Sequence, residues 1–442
     1  MKFYSLNRKS PQVSFREAVV RGIAPDRGLY FPGTIDPLPE GYFSNLESLD
    51  RNELALALIE QFVGDEIPQG ELFELIREVL SFDFPLVPVE SNVFSLELFH
   101  GPTMAFKDVG ARFMARCLSH FNKDHKQEVT VLVATSGDTG GAVASGFLGV
   151  EGVNVVILYP SGKVSEVQEK QLTTLGQNIR ALEVEGTFDD CQDMVKTAFL
   201  DSEITDHIQL TSANSINVAR WLPQMFYFAF AYQQLEDKSQ APVFSIPSGN
   251  FGNICAGIMA KRLGLPVSHF VAATNVNRVV PNFMESGVYT PMDSIATISN
   301  AMDVGDPSNF VRIREIYDND FEKLRVDLSS YSFTDEQTKE AMSVIYDKSG
   351  YVTDPHGAVG YLGLKKYLEG LQDHPVEPGQ ASQSGIPGIF LETAHPVKFL
   401  EVVEPVLGVK IDYPEQIQSV IDREKKAEYI RTYGNLKQFL LS

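Results

Sequence analysis

The 442-residue chain is expected to adopt an α/β fold built on parallel sheets, and three observations carry that expectation. First, β-rich apolar runs recur at 129–134, 153–159, 179–184, 243–247, 269–273 and 389–395. Second, helical patterns separate them, and near-continuous apolar strands between helices imply a parallel sheet covered on both faces. Third, two of the runs end in glycine-rich turns, Thr135-Ser136-Gly137-Asp138-Thr139-Gly140-Gly141 and Ser248-Gly249-Asn250-Phe251-Gly252-Asn253. Strand, glycine turn and helix is the arrangement that presents unpaired first-turn N–H groups to an anion.

Taken in order, residues 14–20 read as a short helix, with Ser14 and Glu17 in capping-box spacing. Residues 26–32 read as a turn and short strand, and 52–63 and 69–82 as two further helices. Residues 1–88 therefore form a small leading domain. An apolar stripe at Val109, Phe113, Cys117 and Phe121 predicts a helix opening at Lys107. Helices are expected at 142–148, 165–175, 188–200, 221–235 and 254–263, the 221–235 segment buried because it is aromatic throughout. Residues 306–350 read as mostly charged helix, and the Pro, Gly, Ser and Gln of 375–388 as an exposed loop. The domains after the first are drawn approximately at 89–205, a smaller α/β unit carrying Lys107, and 206–442, a larger one, with the N-terminal part of 89–205 open to assignment to the larger unit.

Composition narrows the function. Hydrophobic residues make up 43% and charged residues 21%, as in ordinary soluble proteins. A net charge of -21 argues against nucleic acid and against anionic membranes as partners. Any anionic ligand must be held by local donors. The three cysteines sit in apolar helical contexts and are expected to be reduced core residues. No Cys or His spacing suggests a metal site, and the first ten residues lack a signal-peptide core. A cytoplasmic location is expected.

Lys107 is the candidate reactive group. Phe99, Met104, Ala105 and Phe106 precede it, and a lysine in such company is partly desolvated. Desolvation disfavours the ammonium and leaves the free amine that carbonyl chemistry needs. One glycine loop could hold a cofactor phosphate and the other a substrate carboxylate. A nucleotide-binding oxidoreductase is a competing reading, but neither loop has G-x-G-x-x-G spacing and Lys107 would go unexplained.

The segments Leu98 to Thr103, Ala105 to Asp108, Thr135 to Gly140, Ser212 to Asn217, Pro247 to Gly252 and Thr393 to Pro396, with Gly28 to Pro32, resemble those of the threonine synthases. These are fold-type II pyridoxal 5'-phosphate (PLP) enzymes of the tryptophan synthase β family. The resemblance keeps motif order over nearly the whole chain. It implies two parallel-sheet α/β domains and a small N-terminal domain, PLP as cofactor, and O-phosphohomoserine as substrate in a monomer or homodimer. Lys107 would join the cofactor aldehyde, and Ser248, Gly249, Asn250, Phe251 and Gly252 would cradle its phosphate. Thr393 would meet the pyridine nitrogen. Ser136, Gly137, Asp138 and Thr139 would hold the substrate carboxylate and border the cofactor ring, Asp138 standing where many relatives have Asn. Thr103 joins the substrate-binding set, and Asn214, Ser215, Asn217 and Arg220 are the candidates for the substrate phosphate. A threonine or serine dehydratase of the same family would need Lys107 without that second phosphate pocket.

Overall fold

The computed structural model describes residues 1–123, 128–372 and 385–442. The leading segment forms an antiparallel ribbon, β1 (Phe3–Ser5) with β2 (Tyr30–Pro32), and three helices, α1 (Phe15–Arg21), α2 (Arg51–Val63) and α3 (Gln69–Val79). Ser14 accepts the Glu17 N–H at the start of α1, and Asp50 with Glu53 forms a capping box on α2. The apolar faces of these helices join the same core as the sheets behind them. Arg312 ties the ribbon down: buried over the Trp221 ring, it donates to Tyr30 O and Ile216 O.

The rest of the chain builds two sheets. In chain order the strands are β3 (Leu86–Glu90), β4 (Val93–Glu97), β5 (Val129–Ala134), β6 (Val153–Pro160), β7 (Ile179–Val184) and β8 (Gln209–Thr211). They continue as β9 (Val243–Pro247), β10 (His269–Thr274), β11 (Leu328–Ser332), β12 (Gly388–Glu392) and β13 (Glu428–Ile430). One sheet has six strands in the order β11-β10-β9-β12-β4-β3, parallel except for the β3–β4 hairpin. The other has five, β13-β7-β6-β5-β8, all parallel.

Several of the helices that matter for the site follow directly on strands. In chain order the set opens with α4 (Lys107–Asn122), α5 (Asp138–Phe147) after β5, α6 (Glu166–Thr173) after β6, α7 (Phe188–Ala198) after β7, and α8 (Met225–Gln234). Then come α9 (Gly252–Arg262) after β9 and α10 (Pro355–Gln372). Every residue of α8 from Met225 to Tyr232 is buried, and Phe228 packs edge-on against Phe244 of β9. Among the described residues no helix is long and apolar enough to cross a membrane.

Several expectations are corrected. Segment 306–350 is mostly helix as expected, at Phe310–Ile316, Phe321–Asp327 and Asp335–Ser349, but β11 also lies within it and pairs along β10, its polar residues tolerated at the sheet edge. Pro223 opens a short 3-10 turn (Leu222–Gln224), so the helix expected from 221 begins as α8 at Met225. Sheet membership also cuts across the boundaries drawn at 89–205 and 206–442. β4 belongs to the six-stranded sheet, the assignment left open for the start of 89–205, whereas β8 and β13, from the far side of the second boundary, extend the five-stranded one. Most of the expected 375–388 loop lies outside the described residues, and Gly388 opens β12.

Candidate active site

The carboxyl ends of β5, β9 and β12 meet at one cavity between the sheets, where open α/β proteins bind ligands. Lys107, Ser136, Thr139, Asn214, Ser215, Arg220, Gly249, Asn250, Phe251, Gly252 and Thr393 all line it. Local structure explains how such distant residues converge. Phe106 N donates to Thr393 O at 2.8 Å, and Ala105 bridges Ala394, so the segment leading into Lys107 is stitched to the end of β12. The Tyr227 hydroxyl, from α8, holds Phe106 O from the other side.

Lys107 is the first residue of α4, a helix with no side-chain N-cap. Its Nζ makes no ion pair with a described residue and sits 5.6 Å from the Phe106 ring centroid. Burial depresses its pKa to about 8; Asp138 acts against that shift, while Lys398 and Arg220 add to it. Part of the amine is thus free near neutral pH. Two further uncapped helix N-termini close on the same space, those of α5 and α9. Thr135 secures the α5 turn by accepting from Gly137 N and Gly140 N. Phe251 holds the α9 turn in the left-handed region, φ 61°, with its ring edge-on against Phe310. Partial positive charge from three helix ends makes this an anion-holding pocket in an acidic protein.

Arg220 is the strongest local cation. It is 2% exposed, bonds only the Ala213 carbonyl with its guanidinium, and leaves Nε without a partner. Burial lowers its pKa to about 10, still cationic at neutral pH. Asn214 Oδ1, Gln224 Oε1 and Asn300 Oδ1 are likewise buried on this cavity without partners. Buried polar atoms normally find partners, so orphans gathered on one cavity mark where a polar ligand belongs.

Other predicted residues are placed differently. Asn217 caps its own turn by accepting Ala219 N and spends its amide on Val19 O and Ser212 O, at 2.8 and 3.1 Å. It anchors α1 and does not face the cavity. Thr103 is also away from the wall: its N–H and hydroxyl both donate to the buried carboxylate of Asp108 in the first turn of α4. Ser248 turns its hydroxyl onto Ile246 O. Gly137 and Asp138 lie behind the lining residues. Gly137, at φ 133°, has Gln168 where a side chain would go. Asp138 pairs with Lys398 Nζ at 2.7 Å and accepts from Gln168 Nε2 at 3.0 Å. Burial pushes its pKa up, but Lys398 and Lys107 outweigh burial and hold it below the usual carboxylate range. These two cations hold it as a carboxylate near neutral pH.

Sequence reasoning missed part of the wall. The Asn300–Val304 segment, Gln224, Phe188 and His356 all face the cavity. His356 Nδ1 sits 2.7 Å from Asp354 Oδ2, and its Nε2 accepts from Ala301 N, fixing that segment. Asp303, beside it, is pushed up to about 6 by burial, which exceeds the opposing effect of its bonds from Thr297 and Asn275. No local pattern advertises these residues; Asp354-Pro355-His356 opening a helix is the nearest to a signal.

A family model for pyridoxal-phosphate dependent enzymes matches residues 85–376. Models for the threonine synthase N terminus and C-terminal region match 2–80 and 376–440. The threonine synthase of Escherichia coli K12 is 44% identical over 423 residues, covering 96% of this chain and 95% of its own. The chain belongs to the threonine synthase family. Its fold agrees with that of solved threonine synthases. The E. coli enzyme superposes with a TM-score of 0.90 at 42% identity, covering 100% of this chain and 99% of its own. A PLP-bound threonine synthase from Brucella melitensis gives 0.90 at 33%, covering 100% and 98%. Like the rest of the threonine synthase family, the chain is thus a PLP-dependent lyase of mixed α/β architecture. The cavity fits such a cofactor on its own terms: an unpaired amine of depressed pKa for the aldehyde, and the uncapped α9 N-terminus for the phosphate.

Proposed function

We propose that this enzyme converts O-phospho-L-homoserine and water to L-threonine and phosphate. Lys107 carries the cofactor through its amine, backbone N–H groups of Gly249 to Gly252 hold the cofactor phosphate, and Thr393 meets the ring from the end of β12. Bound there, the cofactor supplies the electron sink that accepts the pair left at the substrate Cα. The Lys107 amine would take the proton from the substrate Cα and later return one, a task for which a pKa of about 8 suits it. The α5 N-terminus, with Ser136 and Thr139, orients the substrate carboxylate. Arg220, Asn214 and Ser215 hold the substrate phosphate as it departs, and Arg220 stabilises the charge it carries away.

The observation that carries this reading is Arg220: a buried guanidinium on the same wall as Lys107, with no carboxylate partner among the described residues and an idle Nε. A dehydratase acting on a phosphate-free amino acid has no use for it. The three buried free thiols support a reducing compartment such as the cytoplasm. A monomer or homodimer is our reading of the assembly.

The test is product analysis with purified, cofactor-loaded enzyme and O-phosphohomoserine. Threonine and phosphate in equal amounts, both lost in Lys107→Ala, are expected. Ammonia and a keto acid from threonine, with no phosphate released from O-phosphohomoserine, would place the enzyme in the dehydratase branch.

A further inference from the structure

Behind Lys107, which lines the cavity, a second lysine and a carboxylate share a buried space. Lys398 lies in the short turn Pro396–Phe399 after β12, and its side chain has no exposed surface. A wholly buried lysine is rare and needs partners. This one has two, Asp138 Oδ1 at 2.7 Å and Thr103 O at 2.8 Å. The arrangement is braced around them. Gln168 donates to the same oxygen of Asp138, Gln171 donates to the same Thr103 carbonyl at 3.1 Å, and Thr103 in turn holds Asp108. Asp138 starts α5, on the five-stranded sheet, whereas Lys398 follows the six-stranded sheet, so the pair joins the two halves beside the cavity.

We infer that Lys398 is a positioning residue for the reaction: it engages Asp138 in a closed ion pair, so that the neighbouring Lys107 keeps no carboxylate partner and gives up its proton readily. The inference rests on the reading of Lys107 as the cofactor lysine. Its logic is geometric. A carboxylate in a water-poor space pairs with whichever ammonium reaches it, and here Lys398, held by a backbone carbonyl, occupies it. Without Lys398, Asp138 has one cation left nearby, Lys107, and that pairing would hold Lys107 as an ammonium.

The charged and titratable groups around the two lysines are few. Lys107 faces Asp138, Lys398 and Arg220. Lys398 also acts on Asp108 and His395, from α4 and from the end of β12. Asp108 is engaged by Thr103 and so does not draw Lys398 away, and burial drives His395 down to about 4, so it offers Asp138 no cation near neutral pH.

The test measures Lys107 directly, without turnover. The full-length protein freed of cofactor is acetylated in brief pulses across a pH series, and the Lys107 peptide is quantified by mass spectrometry. Wild type should reach half its limiting rate near pH 8. Lys398→Met should move that midpoint upward by roughly one to three pH units, the size of a close carboxylate's effect. Lys398→Arg, which keeps the cation, should leave it in place, and Lys398→Met with Asp138→Asn should bring it back down. An unmoved or lowered midpoint in Lys398→Met, with only the melting temperature reduced, overturns the inference and leaves Lys398 a packing role. Should Lys398→Met not fold, Asp138→Asn alone decides: a midpoint below the wild-type value supports the arrangement, and an unchanged one refutes it. Reduction of the loaded enzyme that fixes the cofactor to another lysine would refute the reading of Lys107, a separate failure.

Discussion

The Lys398 ammonium lies 2.7 Å from Asp138 Oδ1, with 0% and 4% of the two side chains exposed. A buried pair of this kind contributes little net stability against an apolar replacement, but losing one member strands the other. Each single variant, Lys398→Met or Asp138→Leu, should therefore cost about 3–5 kcal/mol. The double variant Lys398→Met, Asp138→Leu should lose less than the sum of its singles. Urea unfolding of the four proteins gives the coupling directly, and strict additivity would mean that the two side chains do not act as a pair.

Arg220 and Asn217 stand close in sequence yet are expected to fail in different ways. Arg220→Met should lower kcat/KM for O-phosphohomoserine by about one to two orders of magnitude, as a charged hydrogen bond worth about 1.5–3 kcal/mol implies. Stability should hardly change. Asn217→Ala should instead destabilise the fold by about 2 kcal/mol, from a lost cap and two abandoned carbonyls, and leave KM near the wild-type value. Steady-state kinetics beside urea curves separate the two cases, and a raised KM in Asn217→Ala would return that residue to the site.

Lys107 sets a pH dependence whose sign follows from burial. Its pKa in the folded protein, about 8, lies below the ordinary 10.5, so the folded state binds fewer protons between those values. The stability it costs therefore appears as pH falls from 10.5 towards 8 and levels off below. Uptake of cofactor by the resolved enzyme should accelerate with rising pH through about 8 and then plateau. Stopped-flow absorbance measures it. A rate that continues to climb to pH 10.5 would mean that the amine is an ordinary solvated lysine.

Glu392, one residue before Thr393, is wholly buried against Asp354. Burial, then the nearby Asp354 carboxyl, raises its pKa well above the usual range, so it is protonated in the folded state. A raised carboxyl contributes stability in full below its unfolded pKa and loses it as pH rises. Glu392→Gln, a neutral stand-in that keeps an acceptor for Asp354 N, should melt close to wild type at pH 5 and above it at pH 9, by about 1 kcal/mol or more. Melting curves at both pH values check this; equal losses at both would mean that the carboxyl is ionised.

The parts of the site written in contiguous residues were legible from sequence. The β5 and β9 runs, the glycine turns after them and the apolar stripe behind Lys107 are local patterns, and each appears where expected. Asn217 shows the limit: polar residues in one loop look alike until the fold decides which amide meets the α1 backbone and which meets the cavity. Lys398 was invisible for a related reason. A lysine between Val397 and Phe399 signals burial only once Asp138, 260 positions earlier, is known to lie against it. The short strands β8, β11 and β13 escaped because three to five residues at or near a sheet edge carry too little alternation to separate them from loops.

The identity of the cofactor lysine is the claim on which the rest depends, and the structure offers two lysines beside one cavity, Lys107 lining it and Lys398 buried behind it. Borohydride reduction of the PLP-loaded enzyme, followed by peptide mapping, decides between them. The account predicts the reduced cofactor on Lys107, with Lys398 unmodified. Cofactor fixed on Lys398, or on neither lysine, would contradict it.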